Sequence, residues 1–110
     1  MIRCGLIGYG AWGEHHARVI AANPQARLVA VAARSEVSRE KARQAHPGCE
    51  TYAHYPDLLA RDDLDAAVVV LPSHLHFEVS RAVLESGRHL LLEKPMCLSA
   101  EDCDRLNALA

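Results

Sequence analysis

The chain lacks an excess of charge of either sign. Its 12 Lys and Arg stand against 14 Asp and Glu, a net charge of -2 with the charges interspersed. There is thus no basic stripe for nucleic acid or an anionic lipid surface, and neither partner is expected. It also lacks any apolar run of membrane-spanning length, and its opening residues pass straight into strand-like sequence without a basic and then apolar leader. A cytoplasmic protein is predicted. The four cysteines, Cys4, Cys49, Cys97 and Cys103, form no C-x-x-C pair, and they read as free thiols. His74 and His76 stand two residues apart, a spacing that points two helical side chains away from each other, so no metal is expected. Internal repeats, low-complexity tracts and linkers are absent as well. The 110 residues are read as one domain, long enough for a core and short for a complete nucleotide-dependent enzyme.

What is present begins with a glycine run. Gly8, Gly10 and Gly13 follow the apolar stretch Ile2 to Ile7 and precede a helical pattern. Gly8 suits a tight turn off the strand, Gly10 leaves room for backbone to approach a pyrophosphate, and Gly13 lets the next helix pack closely. The amides of Tyr9, Gly10, Ala11 and Trp12 then face an anion from the positive end of the helix dipole. The run is thus a candidate dinucleotide cradle, and its context carries the reading, because an isolated G-x-G-x-x-G also serves ordinary turns. Trp12, inside the run, either stacks over the cofactor or covers the helix start.

Strand and helix patterns alternate along the rest of the chain. After Ile2 to Ile7, a helix from about Trp12 to Ala22 carries Gly13, Ala17, Ile20 and Ala21 on one stripe and stops at Asn23-Pro24. Residues 27 to 33 are almost continuously apolar, as in a strand covered on both faces. Ser35 is placed to cap a helix with Val37, Ala42 and Ala45 facing inward. A short strand near Glu50 to Ala53, a brief helix begun by Pro56 and Asp57, and a β-branched strand from Asp65 to Leu71 follow. Pro72 closes that strand, and Ser73 is expected to cap a helix with Leu75, Val79, Ala82 and Val83 on one face, ending at Gly87. A fifth strand runs from Arg88 to Leu92, and Ser99 with Asp102 is a capping-box pattern for a last helix. Alternation of this kind implies an α/β fold with a doubly wound parallel sheet in the order 3-2-1-4-5. The strand order reverses between the first and fourth strands, and ligands bind at such a switch point. The glycine run and Pro72 to His76 both lie there.

With the glycine run, the segment Leu71-Pro72-Ser73-His74-Leu75-His76 and Glu93-Lys94-Pro95, the chain resembles the Gfo/Idh/MocA oxidoreductases, the family of glucose-fructose oxidoreductase and inositol dehydrogenase. That family's amino-terminal half has a glycine fingerprint, a segment like T-P-x-x-x-H after the fourth strand, and E-K-P after the fifth. Leu71 stands where Thr is commonest, while Pro72 and His76 remain in register. The resemblance implies that Lys94 hydrogen-bonds the nicotinamide ribose and the substrate oxygen, and that Glu93 anchors the ribose or orients Lys94. Taken alone, the pair also reads as a solvated ion pair ending a strand. The resemblance sets His76 near the nicotinamide side, and its alternative is a polar residue in a helix's first turn. His15 and His16 read as solvent-facing or partly packed.

The cofactor is read from the end of the second strand. An NAD-binding chain usually carries Asp or Glu there to accept the ribose hydroxyls, and this chain has Ala33. Arg34 and Ser35 follow, a guanidinium and a hydroxyl where a 2′-phosphate would lie, and Arg39 adds positive charge one turn on. NADP is therefore expected, with NAD as the alternative, and Arg34 alternatively stacks on adenine. Ala33 also speaks against a methyltransferase, which would carry an acid at that place. Family members have a second, mostly antiparallel domain that supplies the substrate pocket and the oligomer interface. By that resemblance the chain is the cofactor half of an NADP-dependent oxidoreductase acting on a sugar, polyol or related hydroxyl or carbonyl compound, homo-oligomeric at full length. A fragment is expected on this reading; the alternative is a lone, non-catalytic dinucleotide-binding module. Without a further strand, the fifth would present a Leu-rich edge.

Overall fold

The computed structural model describes residues 1–92 and 100–110. Glu93, Lys94, Pro95, Cys97 and Ser99 lie outside the described residues, and with them the Ser99 half of the expected capping box. The chain runs β1 (Ile2–Ile7), α1 (Ala11–Ala22), β2 (Ala26–Ala32), α2 (Glu36–Ala45), β3 (Glu50–Tyr52), α3 (Tyr55–Leu59), β4 (Ala66–Val69), a 3-10 turn (Ser73–Leu75), α4 (His76–Glu85), β5 (His89–Leu92) and α5 (Ala100–Leu109). The five strands form one sheet in the order β3-β2-β1-β4-β5, with every described pairing parallel. This is the doubly wound order expected from the alternation.

Pleating sends successive side chains to opposite faces, and two cores result. On one face Leu6, Leu28, Val31 and Val68 meet Ala17 of α1 and Ala42 of α2. On the other, Ile7, Val29, Ala32 and Val69 meet Leu58 of α3 and Val79 and Val83 of α4. Central strands are therefore apolar at nearly every position, and each fully buried Leu or Val contributes about 1.5–3 kcal/mol relative to exposure. Leu6, Val31, Val69 and Val83 are all in this state.

The helix ends follow local chemistry. Asn23 ends α1, its Oδ1 accepting from the Gln25 amide at 2.9 Å. Ser35 caps α2 as expected, its Oγ accepting from the Ser38 amide at 3.1 Å. Gly87, at φ +84°, takes the left-handed position after α4.

Three expected packing features are not found. Val37 and Ala45 are exposed, and only Ala42 of the expected α2 stripe is buried. Val37 and Ala42 are five residues apart, about 140° around a helix, so they cannot share a face. Ala21 is exposed too, because the last turn of α1 lies at the end of the sheet where Ile2 and Arg3 are themselves exposed. Ser73 does not cap α4; the chain makes a 3-10 turn after Pro72, and α4 starts at His76 with no side-chain cap.

Two arginines, neither expected to be structural, tie loops to the sheet. Arg88 donates from Nη1 to the Leu59 carbonyl at 2.7 Å, from Nε to that of Leu64 at 3.2 Å, and from Nη2 to that of Arg61. One guanidinium thus satisfies three carbonyls of the α3–β4 connection. Arg39, only 16% exposed at its side chain, donates from Nη1 to the carbonyls of Ala33 and Arg34 at 2.7 and 2.8 Å.

Candidate functional site

The carboxyl ends of β1, β2 and β4 open into one crevice of about 850 Å³. Its floor is the glycine turn. Gly8 has φ +105°, and a Cβ there would run into the Val70 carbonyl, so no other residue makes this turn. A Cβ on Gly13 would strike the Gly8 carbonyl, whereas one on Gly10 would meet nothing within 4 Å. Gly8 and Gly13 are thus needed by the protein itself, and Gly10 leaves free space above the turn. The first bond of α1 runs from the Glu14 amide to the Gly10 carbonyl at 2.9 Å, so the amides of Ala11, Trp12 and Gly13 precede the helix ladder. These donors, the helix dipole and the clearance at Gly10 fit the pyrophosphate of a dinucleotide. The Tyr9 side chain turns away, buried at 6% exposure beside Leu6 and Cys49, and its contribution to the crevice is backbone. Trp12 is 67% exposed at the crevice, with its ring edge-on to His15 at 6.0 Å. His15 is exposed and His16 half-buried.

The β2 side of the crevice carries positive charge. Ala33 is buried, its amide bonded to the Tyr52 carbonyl at 2.9 Å, and Arg34 and Ser35 follow it on the surface of the crevice. Arg39 holds the Ala33 and Arg34 carbonyls from below and pairs with Glu36 at 2.9 Å. Its guanidinium therefore fixes the backbone from which Arg34 extends. No carboxylate stands where Asp or Glu would accept ribose hydroxyls.

The opposite wall comes from β4 and α4. Leu71, Pro72, Leu75 and Val79 line it, with Tyr55 and Pro56 at the start of α3. His76 is 1% exposed, and its Nε2 lies 2.7 Å from the Leu71 carbonyl. Because a carbonyl only accepts, Nε2 carries the proton, and the imidazole holds the strand end rather than lining the crevice. His74, by contrast, is exposed. Burial pushes the Tyr55 hydroxyl above its ordinary value, and the nearby Glu78 carboxylate adds to the rise while Arg81 opposes it. Glu78, which also lines the crevice, was not singled out by the sequence; a lone acid on a helix's outer turn carries no motif. Glu93 and Lys94 are outside the described residues, so the crevice as described consists of the glycine turn, the β2 end and the β4–α4 wall.

Known proteins are similar to this chain in sequence and fold. A family profile described as "Oxidoreductase family, NAD-binding Rossmann fold" matches residues 2–110. An inositol 2-dehydrogenase of Saccharopolyspora erythraea is 32% identical over 109 residues, covering 97% of this chain and 32% of the relative. A dTDP-3,4-didehydro-2,6-dideoxy-alpha-D-glucose 3-reductase of Actinomadura kijaniata is 38% identical over 111 residues, covering 99% and 33%. A 3-ketoreductase from Actinomadura kijaniata, solved in complex with NADP and TDP-benzene, superposes with a TM-score of 0.92 at 35% identity, over 99% of this chain and 34% of that one. The chain spans about a third of the length of the relatives it matches. Among the described residues, no helix is long and apolar enough to cross a membrane. The fold, the glycine turn and the match over residues 2–110 together establish that the chain belongs to the Gfo/Idh/MocA family of oxidoreductases with an NAD-binding Rossmann fold.

Proposed function

We propose that this chain is the cofactor half of an oxidoreductase that moves a hydride between NADP(H) and a sugar, polyol or related hydroxyl or carbonyl compound. The observation that carries the choice of cofactor is the end of β2. Ala33 removes the acid that would repel a 2′-phosphate, Arg34 and Ser35 face the crevice, and Arg39 clamps the loop that presents them. The relative solved with NADP supports the same reading.

In this reading the nicotinamide supplies or accepts the hydride when bound, and the chain's residues bind and orient it. Amides from Tyr9 to Gly13 hold the pyrophosphate, and Gly10 lets it approach. Leu71 and Pro72, with the Leu71 carbonyl held by His76, form the wall on the β4 side. Trp12 covers the open face. The family resemblance gives Lys94 the substrate oxygen, where its ammonium polarises the C–O bond at the carbon that exchanges hydride, and gives Glu93 the ribose. The remaining substrate contacts belong to sequence outside residues 1–110, in keeping with relatives of which this chain spans about a third. The buried thiols of Cys4 and Cys49 suit the cytoplasm, and the family resemblance supports a homo-oligomer at full length.

Arg34→Ala tests the cofactor assignment. Loss of a charge-assisted contact to the 2′-phosphate weakens NADPH by about 1.5–3 kcal/mol and leaves NADH unchanged in a calorimetric titration. Equal weakening of both would move Arg34 to adenine stacking and remove the basis for NADP.

A further inference from the structure

Glu78 is the one carboxylate among the described residues lining a crevice otherwise built for anions. Beside the pyrophosphate or the 2′-phosphate it would oppose binding, so its place relative to those groups matters. The pyrophosphate lies over the glycine turn, and the 2′-phosphate beside Arg34 and Ser35. Glu78 lies on neither the glycine turn nor the β2 end, but on the α4 wall. It stands in the first turn of α4, near Tyr55, the first residue of α3. Tyr55 follows β3, the outermost strand on the β2 side. The pair therefore closes the crevice on the side of the adenosine half, away from β5.

The lining there suits a purine ring. Leu75, Val79, Ala53 and Pro56 provide apolar surface for its faces, and Glu78 and Tyr55 provide polar atoms for its edge. The Glu78 carboxylate accepts hydrogen bonds, whereas the Tyr55 hydroxyl both donates and accepts, so the carboxylate sets the direction in which the pair reads an edge. Adenine presents the complementary pair on its Watson–Crick edge: an exocyclic amine that donates and, next to it, a ring nitrogen that accepts. Hypoxanthine presents the reverse, an oxygen that accepts beside a ring N–H that donates. Arg81, the cation closest in chain to Glu78 on the same helix, is engaged by Glu85 at 3.4 Å and lies 5.7 Å over the Phe77 ring.

We propose that Glu78 and Tyr55 form the base-reading edge of the crevice, with Glu78 accepting from the adenine amine and Tyr55 donating to the neighbouring ring nitrogen. This rests on the dinucleotide reading above and extends it to base specificity. The test is calorimetric titration of the full chain, as wild type, Glu78→Gln and Arg34→Ala, with NADPH and with its hypoxanthine analogue. Wild type binds NADPH about tenfold or more tighter than the analogue, the scale of one hydrogen bond to a charged group. In Glu78→Gln the side-chain amide offers an N–H to the 6-oxo group, and the preference falls to within about threefold. Glu78 is exposed, so this variant keeps the wild-type melting temperature. Arg34→Ala weakens both ligands and keeps their ratio. Equal binding of the two ligands by wild type, or an unchanged ratio in Glu78→Gln, overturns the proposal while leaving the dinucleotide site standing. Binding of neither ligand overturns both.

Discussion

Gly10 and Gly13 sit three residues apart in one turn, yet the structure predicts opposite consequences for the same substitution. Gly10 has φ -81° and ψ -164°, a conformation open to alanine, and its added methyl would meet nothing within 4 Å. The loss of a glycine N-cap costs a few tenths of a kcal/mol up to about 1, and the reduced freedom of the unfolded chain returns about 0.4–1 kcal/mol. Gly10→Ala therefore leaves stability nearly unchanged. The methyl does, however, occupy the space through which a pyrophosphate reaches the amides, and dinucleotide affinity falls by about tenfold or more, the equivalent of one lost hydrogen bond to a charged group. At Gly13 the methyl strikes the Gly8 carbonyl, and backbone cannot swing aside as a side chain can. Overpacking of this kind costs about 1–3 kcal/mol, a fall of roughly 5–15 °C in melting temperature for a domain of this size. Circular-dichroism melts and calorimetric titration with NADPH, run on the same preparations, separate the two effects. If Gly10→Ala melts as early as Gly13→Ala, or binds NADPH as tightly as wild type, the division between a structural and a ligand-facing glycine is wrong.

Other expectations follow from the clamps and ion pairs. Arg88→Lys keeps the charge but can no longer reach the Leu59, Arg61 and Leu64 carbonyls together, and it lowers stability by about 2–4 kcal/mol in urea unfolding; a loss below about 0.5 kcal/mol, the range of ordinary surface changes, would refute the clamp. Asp65 accepts two bonds from the Arg3 side chain and one from its amide, and these hold its carboxyl well below the usual carboxylate range. A depressed carboxylate stabilises the fold above its unfolded value of about 3.9 and loses that contribution as pH falls toward its folded value. The melting temperature of wild type therefore exceeds that of Asp65→Asn at pH 7, and the gap narrows as pH drops below about 4; a gap that widens on acidification would contradict the sign.

The strands and the glycine turn were legible because each rests on local chemistry. An apolar stretch bounded by Gly or Pro and a turn that admits no Cβ are both written within ten consecutive residues. The order 3-2-1-4-5 follows from alternation and the chirality of crossovers. The arginine clamps were not legible: Arg88 meets carbonyls 24 to 29 residues earlier in the chain, and only the completed sheet brings them together. Val37 misled for a related reason, since an apolar side chain on a short helix is inward only if its angle matches the buried row, here set by Ala42. His76 was visible as part of a motif, but its burial and its bond to the Leu71 carbonyl depend on the 3-10 turn that replaced the expected cap at Ser73. Glu78 belongs to the same class, because its meaning comes from Tyr55 on another helix.

The central claim is that the crevice at the ends of β1, β2 and β4 holds NADP(H) and reads its 2′-phosphate. Calorimetric titration of the chain with NADPH and, separately, NADH tests it most directly. The account predicts that both bind and that NADPH binds at least about tenfold tighter, one charge-assisted contact's worth. Equal affinity, tighter NADH, or binding of neither would contradict it.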